Sequence, residues 1–106
     1  MPHMELNRIE EREPVEGFKV RFVHSEKMTI GFFSVAAGST LPEHAHPHEQ
    51  VSVITEGEME LTVGDETYRI IPGQIVTIPS DVPHSGRAIT DCEIMDVFCP
   101  VREDYK

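Results

Sequence analysis

Three of the six histidines in this sequence fall within five positions, in the run His44-Ala45-His46-Pro47-His48-Glu49-Gln50. Side chains two apart on a strand point to the same face, so the imidazoles of His44 and His46 can converge on one ion. Pro47 restricts the residue before it to extended backbone and marks where that strand ends and the chain changes direction. Gln50 opens the next stretch and can be swung back toward the same point. His84, after Pro83, stands where a facing strand of a closed barrel could deliver a fourth ligand. Imidazole suits zinc, manganese, iron, nickel and copper alike, and a neutral amide oxygen leaves a bound divalent ion its charge. Taken alone, a His-x-His pair reads more simply as two surface histidines on an edge strand, so the surroundings must decide. His48 and Glu49 read as residues that support the ligands from behind or stand at the rim, not as ligands, and His3 and His24 as ordinary surface residues.

A second group lies near the C-terminus. Alternation puts Cys92, Ile94, Asp96 and Phe98 on one strand face and Glu93, Met95, Val97 and Cys99 on the other, leaving Asp96 a lone carboxylate on an apolar face. Such a group either caps a turn or pairs with an arginine, or it serves as a general base tuned by desolvation and a nearby metal. Arg102 lies just past Pro100, and its planar fork is well shaped to clamp a carboxylate. Among Glu103 and Asp104 it reads, by itself, as a solvated tail residue. The two cysteines, Cys92 and Cys99, are an odd number of residues apart, which argues against a disulfide; both are expected to be small buried apolar side chains.

The elements that must position these groups are short strands. Runs of Val, Ile, Phe and Thr separated by turn residues predict strands at 18–24, 29–36, 40–45, 50–56, 58–63, 66–70, 74–78, 84–88 and 92–99, with no helix of normal length. Glu56-Gly57 and Gly64-Asp65 close hairpins, and Pro72-Gly73 and Pro79-Ser80-Asp81 bracket a very apolar strand. This is an all-β pattern, a sandwich or a barrel. Residues 1–16, rich in Glu and Arg and interrupted by Pro14, read as a solvated arm or short edge element, leaving 17–106 as the one folded domain.

Composition narrows the partners. The formal charge of −10 repels phosphate backbones, and no Lys/Arg cluster offsets it, so nucleic acid is not expected. An anionic ligand would need a local cation, either a metal or one well-placed arginine. No apolar run approaches a membrane span and the start has no secretory pattern, so no membrane association and a cytoplasmic location are expected. Exposed edge strands suggest a homodimer.

Context turns the histidine pair into something specific. Gly38 to Gly57, enclosing His44, His46 and Gln50, resembles the first cupin motif, and Gly73 to His84, with Pro79, resembles the second. The resemblance implies a single-domain double-stranded β-helix, the jelly-roll barrel, with one divalent transition metal ion (zinc, manganese, nickel or iron) on His44, His46, Gln50 and His84. Gln50 stands where many cupins have Glu, Asp81 where the second motif has Gly, and the Asn that closes that motif after the histidine is missing. A closer resemblance adds Asp96 to Tyr105: together with the histidine run, this stretch looks like the small pectin-degradation cupins, which convert unsaturated uronates from pectin or alginate into linear ketonised sugars. That likeness implies catalytic roles for Asp96, Phe98 and Arg102 and a small anionic sugar as substrate. An Fe(II)-dependent dioxygenase and a sugar- or metabolite-binding module without turnover are the alternatives.

Overall fold

The computed structural model describes residues 3–106; of the arm at 1–16, the first two residues lie outside the described part. Ten strands follow one another along the chain: β1 (Glu11–Val15), β2 (Phe18–His24), β3 (Thr29–Val35), β4 (Thr40–His44), β5 (Glu49–Glu56), β6 (Met59–Val63), β7 (Glu66–Ile70), β8 (Ile75–Ile78), β9 (His84–Ala88) and β10 (Cys92–Cys99). The only helical turns among the described residues are short 3-10 turns at Leu6–Arg8 and Glu103–Tyr105. Every paired neighbour is antiparallel. One sheet has the order β1-β2-β3-β10-β5-β8 and the other β4-β9-β6-β7, and the two face each other as a jelly-roll barrel. Among the described residues no helix is long and apolar enough to cross a membrane.

Period-2 burial explains how the sheets close. On β5 the inward file is Gln50, Ser52 and Ile54, and on β10 it is Cys92, Ile94, Asp96 and Phe98. Register pairs these files rung by rung: Phe98 with Gln50, Asp96 with Ser52, Ile94 with Ile54. One end of the barrel interior is therefore polar and the other apolar. The apolar end is the core, where Phe18, Val35, Ile54, Met59, Leu61, Ile70, Ile78, Ala88, Cys92 and Ile94 pack together. Fully covered side chains such as Ile54 and Ile78 contribute about 1.5–3 kcal/mol each by leaving water, which holds the polar end in place.

The acidic N-terminal segment supplies β1, an edge strand on β2, where Pro14 removes no ladder bond from the interior of the sheet. Its Arg12 Nη1 donates to the Tyr105 carbonyl at 2.8 Å, linking the two ends of the chain. Two expectations change. Cys99 is exposed while Cys92 is buried, because the alternation that turns Phe98 inward turns Cys99 out. His24 is half-buried rather than an ordinary surface residue, with Nδ1 2.8 Å from Thr29 Oγ1.

Candidate metal centre and its chamber

Register brings the distant histidine to the cluster. His84 on β9 is the direct cross-strand partner of His44 at the end of β4. The ring centroids of His44 and His84 lie 4.1 Å apart, those of His46 and His84 4.9 Å. The three residues each offer a nitrogen within 4.8 Å of the others, close enough to hold one ion. All three rings are anchored alike: Nδ1 meets the backbone carbonyl of Pro42 in His44 (2.9 Å), of His48 in His46 (3.0 Å) and of Val82 in His84 (2.9 Å). A carbonyl only accepts, so Nδ1 carries the proton in His44 and His84 and Nε2 is left with a lone pair; His46 has an accepting oxygen at both nitrogens, and the tautomer with the proton on Nδ1, the one that matches the other two rings, leaves its Nε2 able to bind an ion. This is the backbone support that metal-bound imidazoles use to fix tautomer and ring direction.

The electrostatics favour the neutral form of the two buried rings, His46 and His84. Burial lowers the His84 pKa to about 4, opposed by the Val82 carbonyl; the repulsion that a proton on His44 or His46, or the Arg102 charge, would exert on a protonated His84 adds to it. Burial also lowers His46, with Arg102 next in effect. The Nε2 of His84 is enclosed without any hydrogen-bond partner. Across from it, His46 Nε2 lies 3.1 Å from Gln50 Oε1, so in that tautomer two lone pairs face each other in a buried place. Three imidazole nitrogens and one amide oxygen, with His46, Gln50 and His84 buried and His44 open to solvent, fit a divalent transition metal ion.

Asp96, Phe98 and Arg102 line the same chamber as the histidines and Gln50. Burial raises the Asp96 pKa to about 6 against the opposing effects of Ser52, Gln50 and Arg102, and its Oδ1 is enclosed without a partner. The tail after β10 folds back over the chamber, so Arg102 is 7% exposed rather than solvated. Its backbone N–H donates to Thr29 Oγ1 at 2.8 Å. Its guanidinium lies 4.8 Å over the Phe98 ring and 4.3 Å over Tyr105, and Nε and Nη2 donate to Asp104 at 3.0 and 2.7 Å. The Phe98 ring in turn sits edge-on to His46, at 5.8 Å.

The family model of the cupin domain matches residues 31–98, the stretch that carries every proposed ligand. The chain is a cupin. It is 29% identical over 102 residues to an uncharacterised protein of Streptomyces coelicolor, covering 94% of this cupin and 97% of that protein. Other curated relatives are spanned for about half their length or less. Among solved structures, an RmlC-like cupin from Shewanella frigidimarina superposes with a TM-score of 0.93 at 24% identity, covering 100% of this chain and 96% of that one. KdgF from Halomonas sp. superposes with a TM-score of 0.92 at 20% identity, covering 100% and 99%. At such identities the two structures share the fold.

Some residues of this cupin's chamber escape sequence reasoning. Ser52, Asp104 and Tyr105 line it or hold Arg102, and all three are common residue types with no motif of their own. A signal existed for Ser52, which follows Gln50 by two and so shares its strand face. None existed for Tyr105, whose place depends on stacking with Phe22 at 4.3 Å, far away in sequence.

Proposed function

We propose that this cupin, with one divalent transition metal ion on His44, His46, Gln50 and His84, opens unsaturated uronates from pectin or alginate into linear ketonised sugars. One observation supports this above the rest: the unpartnered Oδ1 of Asp96 and the buried Arg102 line the same chamber as the four donors. Similarity in sequence to the small pectin-degradation cupins, and the fold shared with KdgF, point the same way. Bound there, the ion would supply fixed positive charge near an oxygen on which negative charge develops.

The protein's own groups handle the rest. A uronate carboxylate needs a cation inside a chain of net charge −10, and Arg102 provides one, with Nη1 not engaged by Asp104. Phe98 gives the sugar a flat apolar wall. Asp96 takes the proton of the anomeric hydroxyl as the bond between the anomeric carbon and the ring oxygen breaks, leaving an aldehyde and an enolate. Returning that proton to the adjacent alkene carbon turns the enolate into the ketone. Substrate and product are isomers, so no oxidant or reductant enters.

The test follows the ultraviolet absorbance of an unsaturated uronate. Metal-loaded protein should speed its loss well beyond the spontaneous reaction, Asp96→Asn should lower kcat by at least about 100-fold, and Arg102→Ala should chiefly raise KM. No acceleration by metal-loaded parent protein overturns the reading.

A further inference from the structure

The Gln50 amide can present either of two ends to the histidine cluster. Only its oxygen can bind a cation; the NH2 end carries partial positive charge and would repel one. We propose that Ser52 is the positioning residue that fixes this choice, holding the NH2 end away so that Oε1 faces the three histidines. The proposal rests on the metal reading above and concerns how the site is built rather than what it turns over.

Ser52 and Gln50 are two apart on the inward face of β5, 5% and 7% exposed. Gln50 Nε2 donates to Ser52 Oγ at 3.0 Å, while Oε1 stands 3.1 Å from His46 Nε2. A buried amide N–H must find an acceptor, and Ser52 Oγ is the one the NH2 end has; turned over, the amide would instead donate to His46 Nε2 and leave a cation no amide oxygen to bind. Across the ladder Asp96 is the register partner of Ser52 on the same inward face, and its enclosed Oδ1 has no partner. A carboxyl group offers an accepting oxygen in either protonation state, so the hydroxyl has an acceptor beside it other than the amide oxygen and can take the amide N–H on its own lone pair. The amide is then left with its oxygen toward the centre.

The experiment titrates the full metal-free chain with zinc against a competing chelator, and records the visible spectrum of the cobalt(II) form. Ser52→Thr and Ser52→Val have the same shape and differ only in the hydroxyl, so the pair separates hydrogen bonding from packing; Ser52→Ala and Gln50→Ala complete the set. Ser52→Thr should keep the parent's zinc affinity and cobalt bands. Ser52→Val and Ser52→Ala should bind zinc about tenfold more weakly or worse, with cobalt bands displaced toward those of Gln50→Ala, while circular dichroism shows the metal-free variants folded. Folded Ser52→Val with the parent's affinity and bands overturns the proposal. So does a Gln50→Ala variant that matches the parent, although that result leaves a three-histidine site standing. If the parent takes up no zinc or cobalt at all, the metal reading fails first and this inference with it.

Discussion

At the scale of single residues, the chamber sets two buried titrations against each other. In the metal-free protein His84 stays neutral down to about pH 4, whereas an unfolded histidine takes its proton near 6.5. The unfolded chain thus binds more protons between those values, and stability falls as pH drops through that window. Asp96 has the opposite sign: its folded pKa is about 6 against the usual 3.8, so the folded chain binds more protons between 3.8 and 6 and gains stability as pH falls. Asp96→Asn removes the second effect and uncovers the first. Urea unfolding of metal-free protein at pH 4.5 and 7 should show a larger acid loss in Asp96→Asn than in the parent, by up to about 1.4 kcal/mol per pH unit. Equal losses would mean that Asp96 is no more buried than a surface carboxylate. The histidines were legible in the sequence because residue type and period-2 spacing carry their chemistry directly. Arg102 was not legible from its neighbours: Glu103 and Asp104 suggest solvent, and only the contacts with Thr29, Phe98 and Tyr105 make it a buried cation.

At the scale of elements, strands and hairpins were legible to within a residue or so because alternation and turn chemistry are local. The cross-ladder pairing of His44 with His84 was not, since register between β4 and β9 depends on how the whole sheet closes. That closure depends on close approaches that glycine allows. Gly57, between β5 and β6, has φ of +83°, and a Cβ there would lie 2.0 Å from the Asp91 carbonyl oxygen, a backbone atom that cannot swing aside. Gly38 has the same φ, but a Cβ there would meet nothing within 4 Å. Gly38→Ala should cost about 1–2 kcal/mol for the left-handed backbone alone, and Gly57→Ala about 1–3 kcal/mol more for the overlap. Urea midpoints of the two variants measure the difference, and similar values would show that the turn yields freely. The tail has its own anchor in Thr29 of β3, which is fully buried and accepts the Arg102 N–H. Thr29→Val should leave that N–H and His24 Nδ1 without a partner, costing about 1–3 kcal/mol, and should raise KM for an anionic substrate more than it lowers kcat.

At the scale of the whole molecule, the question is what offsets an interior that gathers lone pairs. Nineteen acidic residues stand against nine basic ones, and at one end of the barrel three imidazole nitrogens and an amide oxygen converge. Without a cation these dipoles repel, and no protein group donates to the enclosed His84 Nε2. A metal ion that binds the folded chain and not the unfolded one adds stability by mass action, about 2.7 kcal/mol when free ion stands at a hundred times its Kd. For a domain of this size each kcal/mol moves the melting temperature by about 4–8 °C. Thermal unfolding with saturating zinc should therefore lie roughly 10–20 °C above that after chelation. In a His44→Ala, His46→Ala double variant, removal of two of the four donors should abolish the shift while leaving the core of the two sheets intact. Identical melting of the parent with and without the ion would mean that the convergent donors hold nothing, and that the polar end of the barrel is stabilised by water alone.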